Sequence, residues 1–213
     1  MINYIISDIG GVLVDFRWKE VMEELQFSKE TIHRLETNMI ANSLWTKFDQ
    51  GLIEVEELIQ TVKESTKGAE REIDQFFAHM EEFVEEYDYT YEWLRSLKEK
   101  GLHLYYLSNY PKPMFENHSK TRFTFLPLME GGVVSYEEHL LKPDAAIYHR
   151  ICEKYGLPPE ECLFFDDRKE NVEAAIQAGM HGIVFESYED AIAKAQLLFE
   201  KEKKSNQHAV GTQ

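Results

Sequence analysis

The chain has 213 residues, 43% of them hydrophobic and 13% aromatic, which suffices for one large domain or for a core domain with a modest insertion. This composition excludes global disorder, and a formal net charge of −16 disfavours nucleic acid and anionic membranes as partners, since phosphate contacts need clustered Lys and Arg. No cationic N-terminal segment precedes an apolar stretch and no apolar run approaches membrane-spanning length, so a soluble, cytoplasmic protein is expected.

In chain order, the β-branched run Tyr4-Ile5-Ile6 predicts a buried strand over about residues 3–8. From about Trp18 to Glu86, apolar residues recur at spacings of three and four, which predicts several antiparallel helices. Ser28 is the expected cap of one of them, running to about Ile40, and Gly51 and Gly68 punctuate the later ones. The strongest acidity lies between Asp49 and Glu92, with 14 acids against Lys63, Lys67 and Arg71, and reads as a solvated helix face. Residues 88–100 predict a helix with Tyr91, Leu94 and Leu97 inward, ended by Gly101.

Helix and strand then alternate. Leu102–Leu107 is a strand ending at Ser108, and Met114–Thr121 a short helix. An apolar patch covers Phe123–Leu128, and Gly131–Ser135 is a turn and short strand. A helix is expected over Pro143–Tyr155, with Pro at an early helical position and Gly156 closing it. Cys162–Phe165 is a strand, Asn171–Ala178 a helix, and Gly182–Phe185 a last core strand. A helix from about Tyr188 to Lys201 precedes a polar tail, 201–213, expected to be disordered. Such alternation implies an α/β fold, a parallel sheet with helices on both faces, and the early helical segment then sits over the carboxyl edge of the sheet. Cys152 and Cys162 lack ligand spacing and read as small core residues, which suits a reducing compartment.

Chemistry concentrates in four short segments: Ile6-Ser7-Asp8-Ile9-Gly10-Gly11-Val12-Leu13, Leu107-Ser108-Asn109, Leu141-Lys142-Pro143 and Phe164-Phe165-Asp166-Asp167. In an open α/β sheet, ligands bind at the carboxyl ends of strands. Asp8, followed by two glycines that let other backbone approach, is placed there as a nucleophile or a metal ligand. Each segment alone has a plainer reading: an acid opening a loop, a Ser-Asn turn, a surface lysine, an acidic helix cap. Together they supply what phosphoryl transfer through a covalent intermediate needs: an attacking carboxylate, donors for phosphoryl oxygens, a cation, and acids for a divalent metal. The eight histidines show no HxH or HExxH spacing, and no GxGxxG follows a strand, which speaks against a zinc site and a dinucleotide fold.

The four segments, in this order and spacing, resemble the haloacid dehalogenase-like hydrolase superfamily over about residues 1–195. The resemblance implies a Rossmann-like core of residues 1–16 and 87–200 with an inserted α-helical cap over 17–86. It implies a Mg²⁺-dependent phosphomonoesterase acting on a small phosphorylated metabolite through an aspartyl phosphate. Asp8 is then the nucleophile and a metal ligand, and Ser108 and Asn109 hold the phosphoryl group. Lys142 offsets charge; a unit charge about 4 Å from another is worth roughly 4 kcal/mol at an effective dielectric near 20. Asp167 aligns with the direct metal ligand and Asp166 with its variable neighbour, while Asn171, one turn later, orients the site. Three carboxylates beside a phosphate need a cation for binding as well as chemistry.

Gly10 departs from the commonest family pattern, in which an aspartate two residues after the nucleophile acts as general acid and base. Its backbone carbonyl still serves as a metal ligand, but a proton donor of the kind that contributes about 10²–10⁴ in rate is missing. Members resembling this Asp-x-Gly-(Gly/Asn)-Val form include sugar-phosphate phosphatases, which makes a sugar phosphate the expected substrate. Two alternatives remain open. One is a metal-free 2-haloacid dehalogenase, against which Gly10 and the Asp166-Asp167 pair speak. The other is a non-catalytic module that binds a phosphorylated ligand or a protein. Arg17, Trp18, Trp45, Lys47 and Phe48 either line the cap entrance or form the cap's own core.

Overall fold

The computed structural model describes residues 1–210, with side chains through residue 202. The first apolar run forms strand β1 (Tyr4–Ser7), and a three-residue strand, β2 (Val14–Phe16), leads away from it. Helices α1 (Trp18–Glu24), α2 (Lys29–Leu35), α3 (Ser43–Asp49), α4 (Val55–Ser65) and α5 (Glu70–Ala78) follow, and the chain returns through β3 (Val84–Glu86). Then come α6 (Thr90–Glu99), β4 (His103–Ser108), α7 (Lys112–Thr121), β5 (Gly131–Val134), α8 (Ser135–Glu138) and α9 (Ala145–Tyr155). The last elements are β6 (Cys162–Asp166), α10 (Lys169–Gln177), β7 (His181–Val184) and α11 (Tyr188–Val210).

Five strands form one parallel sheet in the order β5-β4-β1-β6-β7. With β1 in the centre, its carboxyl end is flanked by those of β4 and β6, the Ser7 level pairing with Tyr106 and Phe165. Strand residues alternate between two apolar layers, as a period of two requires. Ile5, Leu104, Leu163 and Phe165 face one layer with Trp93, Leu94 and Leu97 of α6 and Ala191 and Ala195 of α11. Ile6, Tyr105, Leu107 and Phe164 face the other, with Ile147, Tyr148 and Ile151 of α9 and Ala175 of α10. Trp93 meets Phe165 edge-on at 5.4 Å between ring centroids, a geometry worth about 0.5–1.5 kcal/mol beyond area burial. Burying both faces explains why these strands read as nearly continuous hydrophobic runs. Among the described residues no helix is long and apolar enough to cross a membrane.

The α/β parallel-sheet architecture agrees with the sequence expectation, and four local features differ from it. β2 and β3 pair antiparallel, Val14 with Glu86 and Phe16 with Val84, where helical periodicity was expected to run on to Glu86. Strands of three residues are too short for a period-two signal, and their partners lie at opposite ends of the helical insertion. Tyr91 is 40% exposed, because the buried face of α6 runs through Thr90, Trp93, Leu94 and Leu97, one position round the helix. Pro143 lies outside α9, whose cap is Asp144 with its carboxylate accepting from the Ala146 amide. Finally, α11 continues through Val210 instead of ending near Lys201. Residues 201–210 carry no glycine or proline to stop a helix, and Gly211 is the first. Residues 211–213 of the expected tail lie outside the described residues.

Candidate active site

Asp8 is the first residue past β1, and its amide donates to the Phe165 carbonyl at 2.8 Å, which fixes it between β4 and β6. Its Oδ1 accepts from the Ser108 hydroxyl and from the Ile9 amide, each at 2.7 Å. Its Oδ2 lies 2.8 Å from Lys142 Nζ, which also reaches Asp166 Oδ2 at 2.7 Å. Lys142 comes into place through Asn109. The Asn109 amide donates to the Lys142 carbonyl at 3.0 Å and accepts from the Lys142 amide at 2.9 Å. Both halves of the Asn109 side chain are therefore occupied by the lysine turn, which precedes a cis Lys142–Pro143 peptide.

Asp166 is fully buried and completely engaged. Oδ1 accepts from the Arg168 amide and the Asn171 side chain, each at 2.9 Å, and Oδ2 accepts from Lys142 and again from Asn171 at 3.1 Å. Asp167, by contrast, turns into the cavity. Gly11 permits this: it adopts φ +72°, and a Cβ there would stand 2.6 Å from Asp167 Cγ.

Carboxylate oxygens of Asp8, Asp166 and Asp167 all lie within 4.8 Å of one another, and Gly10 lines the same cavity. Burial pushes the Asp8 carboxyl up to about 7, with Lys142 opposing the rise and Asp166 adding to it. Asp167 is likewise held above its ordinary value by burial and by Asp166. Burial disfavours the Lys142 charge, yet Asp8 and Asp166 outweigh it and hold the ammonium above its ordinary value. One ammonium among three carboxylates leaves negative charge uncompensated. Hard oxygen donors in excess of their cation suit Mg²⁺. Asp8, Asp166 and Asp167 could hold the ion together, with Gly10 beside them; Asp166 already accepts from Arg168, Asn171 and Lys142, which leaves Asp167 the more available of the pair.

The cavity above these groups has a volume of about 590 Å³. Its walls include Phe16, Trp45, Tyr110, Met114 and Phe185, together with three acids, Asp15, Asp49 and Glu186. Of the five residues weighed for the entrance, Trp45 lines the cavity. Phe48 is buried, Lys47 is exposed, and Arg17 pairs with Glu24 at 2.6 Å and Glu85 at 3.4 Å. Trp18 is half-buried and packs against the core. Sequence reasoning missed Asp49, read only as part of an acidic helix face. The signal was its position four residues after Trp45, on the same face of one helix.

An aspartate, a lysine and an acid pair meeting at the carboxyl edge of a parallel sheet define the class: an α/β protein with a buried aspartate–lysine centre. Residues 2–179 match the family model of the haloacid dehalogenase-like hydrolases, and the chain belongs to that family. It is 28% identical over 178 residues to the sesquiterpene phosphatase astK of Aspergillus oryzae, covering 84% of this chain and 87% of the relative. It is 28% identical over 151 residues to flavin mononucleotide hydrolase 1 of Arabidopsis thaliana, covering 71% of this chain and 60% of that protein. Among solved structures, a family enzyme from Bacteroides thetaiotaomicron in complex with magnesium and inorganic phosphate shares the fold. Its TM-score is 0.70 at 23% identity, with 88% of this chain and 98% of that one covered. The chain is thus an enzyme, a hydrolase with phosphatases among its named relatives.

Proposed function

We propose that this chain is a Mg²⁺-dependent phosphomonoesterase acting on a small phosphorylated metabolite of the cytoplasm, through an aspartyl phosphate on Asp8. The observation that carries this reading is the contact set of Asp8: a lysine on one carboxylate oxygen, a serine hydroxyl on the other, and two further acids within 4.8 Å. In it, Asp8 attacks phosphorus, Ser108 and Lys142 hold phosphoryl oxygens, and Asn109 and Asp166 fix the lysine. A bound Mg²⁺ supplies charge neutralisation for the phosphate and is held by Asp8, Asp167 and the Gly10 carbonyl. Residues 17–86 act as a cap over the core of residues 1–16 and 87–200, limiting substrates to small molecules and excluding bulk water.

The resemblance favours a sugar phosphate. The cavity walls of Phe16, Trp45, Tyr110, Met114 and Phe185 favour a leaving group with an apolar or planar face, and the names of the two relatives point the same way. Phosphate release should therefore be measured on sugar phosphates, flavin mononucleotide and isoprenyl phosphates, with Mg²⁺ and with chelator, alongside halide release from 2-haloacids. Release that requires Mg²⁺ is the expected result. Equal activity in chelator, or halide release alone, would overturn it in favour of a metal-free dehalogenase. Tight phosphate-ester binding without turnover would favour the non-catalytic alternative.

A further inference from the structure

Position 10 carries no side chain, and a Cβ there would have no atom within 4 Å, so the loop itself supplies no proton donor. Three acids outside the Asp8–Asp166–Asp167 cluster line the cavity, of which Glu186 is exposed and pairs with Lys194 at 3.7 Å. Asp15, on β2, is exposed and already paired with the Tyr87 hydroxyl. Asp49 ends α3, and its end of the helix is clamped to the sheet side of the cavity. The Ser135 hydroxyl donates to the Asp49 carbonyl while accepting from the Tyr110 amide at 2.9 Å. Beside it, Gln50 donates to the His139 carbonyl at 2.7 Å, and His139 Nδ1 lies 2.9 Å from the Gln50 carbonyl. The Asp49 carboxyl itself has no hydrogen bond or ion pair among the described residues. It is a fixed acid facing the cavity, with its own donor capacity unspent.

We propose that Asp49 is the proton donor that Gly10 fails to provide, a role that rests on the phosphatase reading above. In the first step an Asp8 oxygen bonds to phosphorus, the bond from phosphorus to the leaving oxygen breaks, and that oxygen takes the Asp49 proton to depart as an alcohol. In the second, water attacks phosphorus and gives a proton to the Asp49 carboxylate. The bond from Asp8 to phosphorus breaks, inorganic phosphate leaves, and both acids return to their starting states. Burial pushes the Asp49 carboxyl up to about 8, with the Asp8 charge adding to the rise and Lys142 opposing it, so the acid is protonated near neutrality as a donor must be.

The test is phosphate release in Mg²⁺ across alkyl and aryl phosphates of graded leaving-group pKa, using wild type, Asp49→Asn, Asp15→Asn and Asp49→Asn with Gly10→Asp. Asp49→Asn should lose about 10²-fold or more on alkyl phosphates, within the usual range for a lost general acid. On 4-nitrophenyl phosphate, whose leaving group departs without a proton, the loss should shrink to roughly a fewfold. Gly10→Asp in the Asp49→Asn background should recover part of the alkyl rate. Retained product inhibition by inorganic phosphate will show that the variant site is folded. A loss by Asp49→Asn that is equal across the series, or no loss, overturns the role, as does the steep pattern appearing in Asp15→Asn instead. A wild type active on the series with a uniform Asp49→Asn effect overturns this role alone. A wild type that releases phosphate from none of the series overturns the phosphatase reading and this role with it.

Discussion

Lys142 Nζ stands 2.8 Å from Asp8 and 2.7 Å from Asp166, and only 4% of the lysine is exposed. One cation therefore serves two carboxylates where water screens neither. A charged group in such a place is stable only as part of the set, because desolvation costs several kcal/mol per ion and attraction must offset it.

Lys142→Met should consequently lose activity and also lower the free energy of unfolding by about 3–5 kcal/mol, the usual result of stranding buried charge. Adding Asp166→Asn removes one stranded carboxylate and should recover part of the loss. Urea denaturation of the single and double variants measures both. Unchanged stability in Lys142→Met would show that the two carboxylates are hydrated or protonated at no cost.

Asp8→Asn should abolish phosphate release and keep the fold, since Lys142 retains Asp166 as a partner. The amide is a poor nucleophile and a weaker metal ligand. Retention of more than about a tenth of wild-type activity, against the 10²-fold or greater losses of essential groups, would exclude the covalent route.

Gly11→Ala tests the metal site from the backbone. The residue sits at φ +72°, and its new Cβ would meet Asp167 Cγ at 2.6 Å, so the carboxylate has to move. The Mg²⁺ concentration for half-maximal activity should rise severalfold, and Asp167→Ala should raise it further or eliminate activity. Asn171→Ala should do less, because its amide holds Asp166. Metal titrations of the three variants rank them, and Asn171→Ala exceeding Asp167→Ala would reverse the assignment of the direct ligand.

His118 gives stability a pH dependence. It is buried as the neutral ring, with Nε2 donating to the Met80 carbonyl and Nδ1 accepting from the Tyr110 hydroxyl, each at 2.7 Å. Burial lowers its pKa below the ordinary 6.5, with the Met80 carbonyl opposing and Arg122 adding to the drop. Below that ordinary value His118 binds more protons in the unfolded chain than in the folded one, so its contribution to stability is full above it and declines as pH falls toward the folded value. Asp8 and Asp49, whose carboxyls are pushed up, contribute the opposite slope, so the His118 contribution is read as a difference: from about pH 7.5 to about pH 5.5 the urea midpoint of wild type should fall relative to that of His118→Gln. A slope identical in wild type and variant would assign the acid sensitivity to other groups.

Asp8, Ser108, Lys142 and Asp166 were legible in the sequence because each lies at the end of an apolar stretch or in the turn before a helix, and strand ends converge on one edge of a parallel sheet. Local pattern sufficed there. For Asp49 the spacing from Trp45 was the only local signal, and its place at the cavity is set by how the end of α3 is clamped to Ser135 and His139, contacts far away in the chain. The same holds for β2 and β3, whose pairing is set by where the insertion leaves and returns. Asn109 is placed at the cavity as its position suggests, and what local pattern could not show is that its amide also holds the Lys142 backbone through one donated and one accepted bond. Tyr91 was misplaced by a single step of helix phase, which spacing alone does not resolve when aromatic residues crowd both sides of a turn.

Because Val14–Phe16 and Val84–Glu86 run side by side, the segment between them begins and ends at nearly the same point in space. The sheet experiences that segment as a closed loop, and lengthening such a loop costs little, about 0.6 kcal/mol for each doubling. Its contents can be exchanged, shortened or recombined while the five parallel strands keep their order and Asp8 keeps its neighbours. In this architecture Asp8, Ser108, Lys142, Asp166 and Asp167 stand outside the exchangeable stretch and Asp49 inside it, so a foreign helical segment grafted onto the Val14 and Val84 strands keeps the strand-end set and has to bring its own acid.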